Sequence, residues 1–196
     1  MSEAAGAAPA RPLRFIGIAG SLRADSYNRA LLRAAQELAP EGVTVDTFDL
    51  AELPLYNEDL ELEGVPDAVQ ALRTAIREAD ALLIATPEYN HGIPGVLKNA
   101  VDWASRPVSS SALAGKPAAI MGASPGQTGT ARAQAQLRQS FVFTRTLALL
   151  QPEVLVFRAH EKFDVDGRLT DEPTRRFVRK LLEALVEWTR LVGPRR

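Results

Sequence analysis

Five short apolar runs, each followed by residues at helical spacing or by a Pro/Gly-rich stretch, dictate what this 196-residue chain can fold into. The run 13–20, LRFIGIAG, leads into SYNRALLRAAQELAPEG, where Ala30, Leu31, Ala34, Ala35 and Leu38 share a helical face until Pro40 and Gly42 end it. VTVDTFDL, 43–50, alternates as a strand near a sheet edge does, and AELPLYNEDLELEGVP reads as a long loop behind it. DAVQALRTAIREAD repeats Val69, Leu72 and Ile76 as a helix, and ALLIAT, 81–86, is uniformly apolar, as a strand buried on both faces must be. After the loop PEYNHGIPG and the helix VLKNAVDWAS come the strand KPAAIMGAS, a helix over 128–149, the strand PEVLVF, 152–157, and a closing amphipathic helix over 171–193.

Strand and helix thus alternate five times without repeats or an internal linker. Short crossovers of this kind require parallel strands and right-handed connections. The expected product is one α/β domain over residues 12–196, a three-layer α/β/α sandwich with a five-stranded parallel sheet. Residues 1–11, MSEAAGAAPAR, lack the basic start and apolar block of a secretory signal and are expected to form a disordered tail.

Composition narrows the chemistry. With 23 basic and 24 acidic residues the net charge is −1, so nothing in the overall balance calls for nucleic acid or an anionic membrane. The absence of cysteine excludes disulfides, thiolate nucleophiles and cysteine-held metals. Two histidines, His91 and His160, are too few and too far apart to suggest a metal centre, and none is expected. No apolar run approaches the roughly 18 residues of a membrane span, so membrane insertion is not expected and a cytoplasmic protein is.

In open parallel sheets ligands bind at the strands' C-terminal ends, where strand order reverses. In the order 2-1-3-4-5 that point lies between strands one and three, so the loops to inspect are 20–28, 86–94 and 123–130. The first, GSLRADSYN, packs Ser21, Arg23, Ser26 and Asn28 against a helix N-terminus, where unpaired N–H groups and the helix dipole favour an anion. A capping residue would account for one of these side chains. The glycine spacing fits neither a dinucleotide turn nor a triphosphate loop, and a phosphate monoester on a smaller cofactor fits better.

The second loop, TPEYNHGIPG, combines prolines that stiffen the backbone with glycines that permit close approach, and so forms a shelf suited to a flat heteroaromatic edge. The third contains Gly122-Ala123-Ser124-Pro125-Gly126, the GxSxG pattern of a hydrolase nucleophile elbow. That mechanism needs a backbone N–H on the residue after the serine, and Pro125 has none. A hydrolase is therefore disfavoured.

GSLRADSYN, TPEYNHGIPGVLKNAVDW and GASPGQTGTARAQAQLRQ resemble, in order, the three signature blocks of the NAD(P)H-dependent FMN reductase family, which includes bacterial quinone and chromate reductases. The resemblance covers about Arg14 to Phe157, with Thr130 standing where relatives commonly have a second glycine. It implies a flavodoxin-like fold, bound FMN, and ping-pong transfer of a hydride from NADPH or NADH to quinones, azo compounds, chromate or free flavin. By position in the motifs it assigns Ser21, Arg23, Ser26 and Asn28 to the FMN phosphate. Pro87, Glu88, Tyr89, Asn90 and His91 are assigned to the flavin ring, and Ser124 to the ring's other side. Chemistry at flavin N5 needs no acid–base pair from the protein. The family also implies a homodimer or homotetramer. A flavodoxin-type electron carrier is the alternative, although such carriers are strongly acidic and this chain is not.

Outside these blocks the residues read as ordinary structure. Glu58, Asp59, Glu61 and Glu63 suit a solvated acidic loop better than a cation site. Arg175, Arg176, Arg179 and Lys180 make a solvated basic face above core packing by Phe177, Leu181 and Leu182.

Overall fold

The period-2 alternation of the apolar runs decides the layering. In the computed structural model, which describes residues 11–193, β1 (Leu13–Ala19), β3 (Ala81–Ala85) and β4 (Pro117–Ala123) form the middle of a parallel sheet. Phe15, Leu83 and Met121 face one side with Leu31, Val178, Leu182 and Leu185. Ile16, Ile84 and Ile120 face the other with Leu72, Ile76, Leu97 and Leu137. Successive side chains of a strand point to opposite faces, so each strand supplies both cores.

The sheet order is β2-β1-β3-β4-β5, with β2 at Val43–Phe48 on one edge. Helices α1 (Tyr27–Glu37) and α6 (Glu172–Val192) cover one face; α3 (Asp67–Glu78), α4 (Gly95–Ala104) and α5 (Ala131–Thr144) cover the other. This is the expected α/β/α sandwich in the order 2-1-3-4-5.

Three details differ from the expectation. The fifth sheet position is filled by two short strands: β5 (Leu147–Ala148) pairs with the start of β4, and β6 (Val154–Val156) with its end. The helix expected to reach residue 149 stops at Thr144, because Arg145 adopts a left-handed conformation and Leu147 N–H donates to Lys116 C=O at 2.9 Å. Pro152 has no N–H for the ladder, so the strand re-forms only beyond it.

Secondly, the acidic loop contains a helix, α2 (Glu58–Glu63), capped by Asn57 and carrying Glu58, Asp59 and Glu61 at its positive end. Glu61 is paired with the buried Arg73 at 2.9 Å. Arg73 in turn donates to Trp103 C=O, and Trp103 Nε1 and Asn99 Nδ2 both donate to Pro54 C=O at 2.8 Å. The segment after β2 is thereby fastened to α4.

Thirdly, Phe177 lies beside the buried stripe of α6 and is 54% exposed. With Phe157 and Lys162 it borders a groove of about 570 Å³ along β6. Of the tail expected over residues 1–11, residues 1–10 lie outside the described residues, and Arg11 donates to Asp80 at 2.6 Å. Among the described residues, no helix is long and apolar enough to cross a membrane, and no three carboxylates, histidines or cysteines gather as a metal site would require.

The start of α6 is held by Asp171, whose carboxylate accepts from Thr174 N–H at 2.9 Å, from the Thr174 hydroxyl, and from Lys162 Nζ at 3.2 Å. The Thr174 hydroxyl bond is the largest influence holding the Asp171 carboxyl below its ordinary range, with the backbone bond and Lys162 assisting against partial burial. A lowered folded-state value means that this stabilisation is complete above the unfolded carboxylate range, near 4, and is lost as pH falls through the folded value. We expect Asp171→Ala to cost about 1 kcal/mol in urea unfolding at pH 7. The gap from wild type should close as the pH is lowered below about 4, and a gap that stays constant would contradict the assignment.

Candidate functional site

Loops following β1, β3 and β4 meet at the C-terminal edge of the sheet, and backbone hydrogen bonds join them. Gly20 N–H donates to Ala85 C=O at 2.9 Å, and Thr86 N–H donates to Met121 C=O at 3.0 Å. The Asn28 side chain, 2% exposed in relative terms, donates through Nδ2 to Ala123 C=O and accepts through Oδ1 from Ala123 N–H, both at 2.9 Å. It thereby bolts the first turn of α1 to the end of β4.

The first loop has an open polar surface. Ser26 caps α1, its hydroxyl accepting from Asn28 N–H at 3.2 Å and keeping its own proton to donate. Ser21 is buried, and among the described residues its hydroxyl makes no hydrogen bond. The main-chain N–H groups of Ser21, Leu22 and Arg23 likewise meet no acceptor among the described residues. Arg23 is exposed, with its guanidinium 5.9 Å from the Tyr27 ring centroid. Arg29 braces the loop from behind, donating to Ser21 C=O at 3.2 Å and to Asp49, whose carboxyl this bond holds below the ordinary range. Backbone donors, two hydroxyls and an arginine at a helix N-terminus make a suitable donor set for a phosphate.

The second loop is a rigid projection. Tyr89 and Gly92 exchange two backbone hydrogen bonds of 3.0 Å, and Asn90 and His91 between them have φ of 51° and 63°. Two consecutive positive φ values define a type I′ turn, whose positions Asn and, less often, His tolerate. Tyr89, Asn90 and His91 are all exposed, whereas Pro87 and Pro94 at the base are buried.

Glu88 points its chemistry elsewhere. Its side chain is 7% exposed, and Oε2 accepts from the N–H groups of Arg132 at 2.9 Å and Ala133 at 3.1 Å. It therefore caps α5 from another loop.

In the third loop the Ser124 hydroxyl accepts from Gly126 N–H at 3.1 Å, and Ser124 N–H donates to Val156 C=O at 2.9 Å. Arg158 and Ala159 N–H groups donate back to Gly126 and Ser124 carbonyls at 3.0 Å. The loop is thus fixed to the chain leaving β6. At its base, a side chain on Gly122 would stand 2.1 Å from Thr130 Oγ1 and 2.3 Å from Thr86 C=O, so only glycine lets these two residues close over β4. Thr130 is fully buried and accepts from Gln134 Nε2 at 3.0 Å.

Of the ten residues read from the sequence, nine lie in these three loops and Asn28 in the first turn of α1. Ser21, Arg23 and Ser26 present donors there, Tyr89, Asn90 and His91 occupy the exposed turn, and Ser124 lies in the third loop. Asn28 and Glu88 have their side-chain oxygens engaged by backbone groups of β4 and α5. Sequence reading missed Arg29 and Gln136, whose helical positions carry no local signal. It read Gly122 only as the first glycine of the GxSxG pattern, although a glycine inside an apolar strand marks a close backbone approach.

Comparison with known proteins bears on the family and the fold. A family model described as NADPH-dependent FMN reductase matches residues 13–161. An NAD(P)H-dependent FMN reductase of Pseudomonas aeruginosa is 51% identical over 178 residues, 91% of this chain and 96% of that protein. A quinone reductase of Pseudomonas putida is 42% identical over 174 residues, covering 89% and 93%. Among solved structures, a flavoenzyme NAD(P)H:(acceptor) oxidoreductase from Paracoccus denitrificans superposes with a TM-score of 0.85 at 38% identity, over 93% of this chain and 100% of that one.

The Asn28 pair makes a direct prediction. Asn28→Ala strands a buried N–H and a buried C=O of Ala123 and should cost about 2–4 kcal/mol in urea unfolding. Ser26→Ala, which removes only a cap, should cost about 1 kcal/mol. Equal losses would refute the special role given to Asn28.

Proposed function

The chain belongs to the NADPH-dependent FMN reductase family, and we propose that it is an FMN-dependent NAD(P)H oxidoreductase acting on small electron acceptors, quinones first among them. The observation that carries this reading is the donor-rich turn at the N-terminus of α1, set beside a stiff exposed turn at the sheet's switch point.

The residues present suit FMN. The open N–H groups of residues 21–23, the Ser21 and Ser26 hydroxyls and Arg23 would hold its single phosphate, with the α1 dipole behind them. The backbone of 87–92 would support the ring on one side and the Ser124 loop on the other. When bound, FMN supplies the hydride chemistry, taking a hydride from NADPH or NADH and passing it to the acceptor. The protein's part is to bind, to orient and to keep the loops still. Backbone N–H groups of the second and third loops would meet the negative charge of the reduced ring. Two partners sharing one site in turn give ping-pong kinetics. Azo compounds, chromate and free flavin are further acceptors that an exposed ring face would admit.

The same reading places the protein in the cytoplasm, where NADPH and NADH are regenerated. It also favours a homodimer or homotetramer. Val142, Phe143 and Leu150, which are 80%, 69% and 71% exposed, give an apolar end to α5 and the loop behind it, which supports assembly through that face.

We expect purified protein to take up FMN and to oxidise NADPH or NADH with a benzoquinone. Binding without turnover would favour an electron carrier, and failure to bind FMN would refute the reading. Arg23→Ala should weaken FMN binding by about 1.5–3 kcal/mol through loss of charge-assisted bonds, read by quenching of flavin fluorescence. For assembly, Phe143→Glu should lower the mass seen in sedimentation, and an unchanged oligomer would exclude this face.

A further inference from the structure

The turn at 89–92 is attached to α5 at two heights. Glu88, just before it, accepts from the Arg132 and Ala133 N–H groups in the first turn of α5. Ile93, just after it, donates its N–H to Gln136 Oε1 at 2.6 Å. The attachment points are four residues apart on the helix, about 6 Å along its axis. Held at both ends, the turn can neither pivot about α5 nor slide along it without breaking a bond.

The fit is close on the Gln136 side, since a side chain on Gly92 would stand 2.7 Å from Gln136 Oε1. On the Glu88 side the arrangement is reciprocal. The residue before α5, Thr130, makes no capping bond, because its hydroxyl accepts from Gln134, so the helix depends on Glu88 for its cap. A carboxylate at the positive end of α5 also closes that helix end to a second anion. Of the helix ends behind the first and third loops, that of α1 is left as the open one.

Resting on the functional reading above, we propose that Glu88 and Gln136 are positioning residues for FMN: by pinning the 88–93 segment to α5 they set the shelf for the flavin ring, and neither side chain touches the flavin. Glu88 therefore acts on the cofactor through the backbone of its own loop, and Gln136 through a helix outside the three loops. The two work on one body, so their effects are not additive.

Gln136→Ala is the cleaner test, because the position is exposed and alanine favours helix. With wild type, Gln136→Ala, Glu88→Ala and Glu88→Gln, three quantities are measured: the FMN dissociation constant, visible circular dichroism of bound FMN, and thermal unfolding of the apoprotein. We expect Gln136→Ala to raise the dissociation constant roughly tenfold, as loss of one hydrogen bond does. It should also alter the visible dichroism, leave the apoprotein midpoint within about 2 °C, and speed amide exchange at Ile93. Glu88→Ala should weaken binding at least as much, and Glu88→Gln, which keeps an acceptor oxygen, should recover most of the loss.

Affinity within twofold of wild type and unchanged dichroism in Gln136→Ala would overturn the proposal. So would a Glu88→Ala protein that is less stable yet binds FMN as tightly. Wild-type protein that takes up no FMN would overturn the functional reading and this one with it, whereas equal binding by wild type and Gln136→Ala overturns this one alone.

Discussion

The paired hydrogen bonds between the Asn28 amide and both backbone groups of Ala123 make the site one body. They join the first turn of α1 to the end of β4, two strands away across β3. The phosphate-type donors of the first loop are thereby held at a fixed distance from the third. The Gly20 and Thr86 amides lock β1 to β3 and β3 to β4 at the same level, and the close approach over Gly122 brings the base of α5 onto β4. A loop in water costs roughly 1–2 kcal/mol per residue to order. Here that cost falls on folding rather than on ligand capture, which is the condition for tight binding by backbone groups.

Much of this was legible in the sequence because it depends on local patterns. Uniformly apolar 81–85 and 117–123 could only be central strands, and the polar turn behind β1 could only stand at the sheet's C-terminal edge. What escaped depends on partners distant in sequence. Asn28 reads as one more donor in its block, yet its amide is matched to a residue 95 positions away. Glu88 reads as part of a ring-binding block, yet its partners are 44 and 45 positions on. The divided fifth strand is of the same kind. Leu147 continues a helical pattern, and a hydrogen bond to Lys116 draws it into the sheet instead. The α2 helix is the exception, since Asn57 followed by acids and closed by Gly64 is a local signature of a short helix.

Charge placement separates two helix ends that composition alone makes equivalent. Both α1 and α5 begin at the sheet's C-terminal edge, and each presents unpaired N–H groups and a positive pole there. At α5 a nearly buried carboxylate accepts two of those N–H groups. At α1 a neutral hydroxyl accepts one, the remaining donors belong to the loop, and Arg23, unlike Arg29 with its Asp49, makes no ion pair among the described residues. One end is internally neutralised and the other asks for an external anion. A chain with a net charge of −1 can in this way attract one phosphate to one place without a basic surface.

The type I′ turn is built from Asn90 and His91, although glycine would adopt its backbone without strain. Two non-glycine residues at positive φ carry strain of order 1 kcal/mol each, which persists only when the surroundings over-determine the backbone. Those surroundings are Pro87 and Pro94 at the base, Glu88 and Gln136 on α5, and the two bonds between Tyr89 and Gly92. With glycine in their place the turn would gain conformational freedom in the unfolded chain and lose the exposed side chains at its tip. The strain is tolerated because these contacts fix the backbone on both sides of the turn, and it holds Tyr89, Asn90 and His91 outward at the rim.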